Sequence, residues 1–174
     1  ELNPVFEGCY TSQSDIKQLN RQAEATTTSA EAVSAIAALY GGFNYPKASF
    51  RRNWEDITFQ HHHDTLPGSG IHSPYERTKT QFNRVIADGK DIATRAMEAL
   101  TIRVKPKEGG MSVMVFNPTG WKRSGWVETW LVQSGWDSGR HTDPSKAEAV
   151  GPDGKIYPVS LLNPSSKLVR FWAG

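Results

Sequence analysis

Residues 73–100 read SPYERTKTQFNRVIADGKDIATRAMEAL and carry the clearest secondary-structure signal in the chain. Ser73 and Glu76 have the spacing of a helix capping box, and Pro74 would take the first helical position, where its missing N–H does no harm. Apolar or small residues then recur every three or four positions, at Tyr75, Thr78, Phe82, Val85, Gly89, Ile92, Ala96 and Ala99. This period places them on one face, so the stretch predicts a long amphipathic helix capped by Ser73.

Two more helices are predicted upstream. The first begins near Ser12 and stops at Gly41-Gly42. Its stripe is Ile16, Leu19, Ala23, Thr26, Ala30, Val33, Ala37 and Tyr40, and its small residues would let a partner helix approach closely.

The second helix follows Tyr45-Pro46. Its stripe is Phe50, Trp54, Ile57, His61 and Asp64, and Pro67-Gly68 is predicted to end it. Three amphipathic helices with short connections indicate an antiparallel three-helix bundle.

The hydrophobic period changes after residue 104. A linker composition at Lys105–Gly110 comes first, and a turn at Asn117–Gly120 and a hairpin around Pro152-Asp153-Gly154 follow. Strands are predicted at Met111–Phe116 (buried on both faces), Trp126–Val132, Ala147–Val150, Lys155–Val159 and Leu168–Ala173. The fold class is therefore α+β: a three-helix bundle over residues 1–104, then a partial antiparallel sheet or sandwich over residues 105–174.

Composition excludes several classes of function. The net charge is only +2 and no Lys/Arg run occurs, so we expect no nucleic-acid partner. No apolar run approaches the roughly 20 residues that span a bilayer, so we expect no membrane association. A single cysteine, Cys9, excludes an internal disulfide and suggests a cytoplasmic location. Because the chain starts without Met and ends inside a strand-like run, we expect a fragment of a longer protein.

Candidate functional chemistry is concentrated in FQHHHDTLPGSGI, residues 59–71. On a continuous helix, neighbouring side chains diverge by about 100°, so three adjacent histidines would not bind one ion together. The residues alone therefore favour a polar, partly exposed helix end. The helical period directs His61 and Asp64 towards the bundle, and it directs His63 to the opposite side with Phe59. A histidine and an aromatic on that side suggest that another domain covers it.

Other candidate chemistry is weaker. Cys9 has no evident His or Asp partner, and no carboxylate pair has a spacing that demands acid–base catalysis. Trp121, Trp126, Trp130 and Trp136 are expected in a core or an interface, with stacking on sugars as the alternative.

Three stretches together resemble the glycoside hydrolase family 38 α-mannosidases. Residues 1–24, ELNPVFEGCYTSQSDIKQLNRQAE, resemble the passage from the catalytic barrel into the helical middle domain. Residues 54–71, WEDITFQHHHDTLPGSGI, contain the family's His-Asp-x-x-Pro-Gly-Ser motif. Residues 113–128, VMVFNPTGWKRSGWVE, resemble the opening of the C-terminal β domain. The order and spacing of all three fit.

The resemblance implies roles for two residues. His63 corresponds to a ligand of the active-site zinc, and Asp64 to the carboxylate that contacts the mannose hydroxyls. The other zinc ligands, among them the nucleophile, would lie in an N-terminal α/β barrel of the parent chain. The expected function is retaining hydrolysis of terminal α-mannosides by the parent, with no catalytic residue in this fragment, which alone would be inactive.

The sequence departs from the family pattern beside this motif. His61-His62 stand where Gln-Phe is usual, which leaves open whether His61 or His62 assists or replaces His63. Two alternative functions also stay open. One is a non-catalytic scaffold or carbohydrate-binding module, and the other is a metal-responsive interaction domain that uses the three histidines.

Overall fold

The computed structural model describes residues 7–105, 111–130, 147–163 and 168–173. The chain forms two compact units, Glu1–Pro106 and Lys107–Gly174. The first contains three helices and the second a four-stranded antiparallel sheet, which confirms the predicted α+β class. Apart from Lys105, the predicted linker lies outside the described residues.

The helices of the first unit are α1 (Ser14–Tyr40), α2 (Lys47–Phe59) and α3 (His72–Thr101). At one end of the bundle the start of α1, the end of α2 and the start of α3 meet, because Ile16, Ile57, Tyr75 and Phe82 share one buried cluster. Further along, Ala30 packs with Phe50 and Ile92. These contacts give the predicted up-down-up arrangement, in which α1 and α3 run parallel and α2 runs against them.

Close approach of α1 and α3 depends on small residues. A Cβ atom added to Gly89 would lie 2.9 Å from Cγ2 of Thr26, so any side chain at this crossing would force Thr26 to move. The predicted stripe of α3 is buried as expected up to Ala96. On α1, Tyr40 is exposed, contrary to the prediction. The next buried residue after Ala37 is Gly41, so the buried face passes Tyr40 by.

No side chain caps the start of α1 or α3, so the capping box predicted at Ser73 does not form. α1 begins at Ser14 after Gln13, whose φ of 47° is left-handed, and no side chain caps it. α3 begins at His72, one residue before the predicted cap Ser73, and Ile71 occupies the N-cap without a side-chain bond. The first four N–H groups of a helix lack intrahelical partners, so Pro74 is tolerated as the third helical residue as well as the first.

The second unit contains β1 (Gly125–Trp130), β2 (Glu148–Val150), β3 (Ile156–Asn163) and β4 (Leu168–Ala173). Their order in the sheet is β1-β4-β3-β2, and all pairs are antiparallel. The predicted hairpin is confirmed: β2 and β3 pair across the Pro152-Asp153-Gly154 turn, in which Gly154 has a φ of 82°. Residues 131 and 132 of the predicted Trp126–Val132 strand lie outside the described residues.

One strand prediction for this unit is wrong. Met111–Phe116 forms no strand in the described part of the chain, and Met111, Val113, Met114 and Val115 are exposed. A strand that is apolar on both faces must be packed against other elements on both faces. The described residues of this unit form no such core, because Val169 is the one buried hydrophobic residue among them. The Asn117 turn does form, since Oδ1 of Asn117 accepts a hydrogen bond from the N–H of Thr119 at 3.2 Å.

The tryptophans were expected in a core or an interface, and the structure excludes only the core for those it describes. Trp121, Trp126 and Trp130 are exposed rather than in a core, and Trp136 lies outside the described residues. Alternation along β1 places Trp126 and Trp130 on the same exposed face, where Trp126 meets Trp172 edge to face with ring centroids 5.2 Å apart.

Candidate metal centre

The histidine run does not lie on a helix. α2 ends at Phe59, and the N–H groups of Gln60 and His61 bond to the carbonyls of Ile57 and Thr58, both at 3.1 Å. The segment from Gln60 to Ile71 is therefore a series of turns, and the prediction that Pro67-Gly68 ends the helix is wrong. The divergence of 100° per residue no longer applies to the histidines.

This backbone brings His62, His63 and Asp64 together. One ligand atom from each of these residues lies within 4.8 Å of the others. Nε2 of His63 is 3.5 Å from Oδ2 of Asp64, and the rings of His62 and His63 have centroids 4.1 Å apart. The expectation that adjacent histidines diverge is thus wrong for His62 and His63.

The direction of each side chain follows from the same turns. The side chain of His63 is 81% exposed, as predicted for the side away from the bundle. Phe59 is 72% exposed. The side chain of Asp64 is 63% exposed, which contradicts its predicted place on the bundle-facing stripe. The helical period does not reach Asp64, because the helix has already ended.

His61 belongs to the bundle, as its position in the stripe predicted. Its Nε2 lies 2.9 Å from Oδ1 of Asn20 and 3.3 Å from Oε1 of Glu24, both on α1. Asn20 is buried and also donates from Nδ2 to Glu24 at 3.1 Å. These contacts hold His61 to α1 and separate it from the His62-His63-Asp64 group.

Gln60 fixes the end of α2, a role that the sequence did not reveal. Its side chain is buried, donates to Oε1 of Gln81 at 2.6 Å and accepts from the hydroxyl of Thr78 at 2.8 Å. Satisfied polar groups of this kind fix a unique arrangement in a core. The only signal in the sequence is that Gln60 stands three positions after Ile57, on the same helical face.

Tyr75 holds the backbone of Asp64 from the inner side. Its buried hydroxyl donates to the carbonyl oxygen of Asp64 at 3.1 Å and accepts from the N–H of Gly70 at 2.9 Å. The N–H of Gly70 also reaches the Asp64 carbonyl at 3.1 Å. The main chain at Asp64 is thereby fixed while its carboxylate stays outside.

The turn at Pro67-Gly68 is pinned against the start of α1. Nζ of Lys17 donates to the carbonyl of Pro67 at 3.2 Å. Gly68 has a φ of 85°, and a Cβ atom there would lie 2.8 Å from the carbonyl oxygen of Ser12. Glycine is required at this position both by the backbone angle and by the close approach.

The donor set fits a zinc ion. Imidazole nitrogen and carboxylate oxygen both bind zinc at about 2.0–2.2 Å, so two ligands of a tetrahedral site lie about 3.4 Å apart. The separation of 3.5 Å between His63 and Asp64 is close to that value.

A groove of about 290 Å³ between α2 and α3, lined by Glu55, Asp56, Phe59, Arg77 and Gln81, opens beside this segment. Among the described residues, no helix is long and apolar enough to cross a membrane.

Comparison with known proteins identifies the helical unit. Residues 4–100 match the family model "Alpha mannosidase middle domain". Alpha-mannosidase G of Dictyostelium discoideum is 33% identical over 98 residues, which cover 56% of this chain and 9% of that protein. Alpha-mannosidase 2C1 of Homo sapiens is 28% identical over 120 residues, or 68% of this chain and 11% of that protein. The Mus musculus protein of the same name is 26% identical over 121 residues, with 69% and 11% covered.

The match to the family model extends over more than half of the chain. The chain spans about a tenth of the length of the curated relatives it matches. The predicted resemblance to α-mannosidases is confirmed, and the chain belongs to the alpha-mannosidase middle domain family.

Proposed function

We propose that this chain is part of a zinc-dependent retaining α-mannosidase that hydrolyses terminal α-mannosides. In this proposal His63 supplies one zinc ligand and Asp64 contacts the mannose. The supporting observation is that these two side chains lie 3.5 Å apart on the outer side of a segment whose inner side is bonded to the bundle.

Exposure supports a role outside the bundle. A histidine that served folding alone would be buried or paired with the bundle, as His61 is. The side chain of His63 instead points outward, with Phe59 also exposed. We propose that the N-terminal catalytic barrel of the parent chain covers this side and provides the remaining zinc ligands.

In this proposal the chemistry is divided between the present chain and the catalytic barrel of the parent. Bound zinc would supply positive charge that orients the mannose hydroxyls. His63 would contribute a ring nitrogen, and the carboxylate of Asp64 would accept hydrogen bonds from the sugar. A retaining glycosidase also needs a nucleophile and an acid about 5 Å apart, which we place in the barrel. The isolated chain is therefore expected to be inactive.

We also propose a cytoplasmic location, on the basis of the single cysteine Cys9.

An aryl α-mannoside assay of the full-length parent tests this function. His63→Ala and Asp64→Asn should lower kcat/KM by two or more orders of magnitude, and a chelator should abolish the wild-type activity. His72→Ala is the matched control, because His72 is equally exposed and lies outside the group. Wild-type levels of chelator-sensitive activity in His63→Ala would exclude the assigned ligand. A parent without mannosidase activity would favour the scaffold alternative.

A further inference from the structure

We propose that His62 is a third donor, and that His62, His63 and Asp64 together bind one divalent transition-metal ion in this chain without the catalytic barrel. The inference rests on the proposed function for the identity of the ion, zinc. It differs from that function in the donor set. In the parent enzyme His63 is the one zinc ligand from this chain and Asp64 contacts the mannose, whereas in the chain without barrel or substrate the carboxylate of Asp64 binds the ion and His62 joins it.

The geometry of the turn carries this inference. One ligand atom from each of the three residues lies within 4.8 Å of the others. Nδ1 of His62 accepts a hydrogen bond from the N–H of Asp64 at 3.3 Å, which keeps the ring beside the pair. The 4.1 Å separation of the two imidazole rings places both on the same side of the segment.

The anchors of the backbone favour binding. Tyr75 fixes the main chain at Asp64, and Gln60 fixes the end of α2 two residues before His62. The ion therefore needs to order only three exposed side chains, and such preorganisation increases affinity. Two imidazoles and one carboxylate form a donor set that zinc uses in proteins, with a fourth position open to water.

The other described histidines do not offer such a set. His61 is bonded to Asn20 and Glu24. Nε2 of His72 has a single carboxylate near it, that of Glu76 at 3.9 Å. His72 is therefore a suitable control, because its side chain is as exposed as that of His63.

The test is a titration of the 174-residue chain with Co²⁺, whose visible absorption reports on the ligand set, followed by displacement with Zn²⁺. We expect one ion per chain. His62→Ala, His63→Ala and Asp64→Ala should each weaken binding by about tenfold or more, since loss of even an outer-shell partner typically has an effect of that size. His72→Ala should bind like the wild type, and circular dichroism should show unchanged folding in every variant.

Two results would overturn the inference: wild-type affinity in His62→Ala, or no binding by the wild-type chain at millimolar metal. Either result leaves the proposed function standing if the full-length parent still requires His63 for activity. Conversely, metal binding by the chain combined with an inactive parent would refute the mannosidase function alone.

Discussion

The two sides of the segment between α2 and α3 differ in how their polar groups are satisfied. On the inner side, Gln60, His61 and Tyr75 bond to α3, to α1 and to the segment itself at 2.6–3.1 Å. On the outer side, the hydrogen bond, ion pair and ring contact of the side chains of His62, His63 and Asp64 join them to one another and to the segment's own backbone. Folding thus fixes the backbone and leaves the outer donors available to a ligand.

The largest expected effect on stability concerns the core of the bundle, against which the inner side of the segment packs. Phe82 is 1% exposed in the cluster that includes Tyr75, so Phe82→Ala should lower the free energy of unfolding by about 3–5 kcal/mol. Phe59→Ala, which truncates the same residue type on the outer side, should change it by no more than about 0.5 kcal/mol. Urea denaturation of both variants measures the difference, and equal losses would refute the distinction between the two sides.

A smaller loss of stability is expected when only the hydroxyl of Tyr75, which bonds to the backbone of the segment, is removed. Tyr75→Phe keeps the ring and deletes the hydroxyl, which should destabilise the chain by about 1 kcal/mol because the Asp64 carbonyl retains its bond from Gly70. The amide of Gly70 should also exchange faster with solvent. Tyr40→Phe removes a hydroxyl from an exposed tyrosine and should leave both quantities unchanged. If Gly70 exchange is the same in the two variants, Tyr75 does not hold the segment.

Almost no loss of stability is expected on the outer side. His63→Ala and Asp64→Asn should stay within about 0.5 kcal/mol of the wild-type free energy of unfolding, since both side chains are exposed. His61→Ala, which breaks contacts with Asn20 and Glu24, should cost more than either. A larger loss in His63→Ala than in His61→Ala would show that His63 serves folding.

The smallest effect tests an exposed contact at the same end of the bundle. The hydrogen bond from Lys79, at 2.8 Å, holds the pKa of Asp15 below its usual value of 3.8. A carboxyl with a lowered pKa stabilises the fold above its unfolded pKa and loses this contribution as pH falls through its folded pKa. Asp15→Asn should therefore lose slightly less stability than the wild type on acidification below about pH 4. Identical acid denaturation profiles for the two proteins would contradict the assignment.

The bundle and the hairpin were predictable because their signals are local. A three- and four-residue period specifies α1 and α3, and Pro152-Asp153-Gly154 specifies the β2–β3 turn. Caps and helix ends were less predictable. Proline is tolerated at more than one position of a helix's first turn, so Pro74 does not determine the residue at which α3 begins.

The site was predictable only in part. The motif located His63 on the outer side, but the pattern carried the helix past its real end at Phe59 and gave Asp64 the wrong direction. The contacts that end α2 come from Thr78 and Gln81, on another helix. No local period encodes contacts between residues 18 or 21 positions apart. The strand prediction at Met111–Phe116 failed for a related reason, because burial on two faces depends on cover from elsewhere.

The most direct measurement is the zinc content of the full-length parent after dialysis against a chelator of intermediate strength. We expect about one zinc per chain in the wild type and in His72→Ala, and a large loss of zinc in His63→Ala with folding preserved. Full zinc retention by a folded His63→Ala protein would contradict the claim that the outer side of this segment serves a metal site.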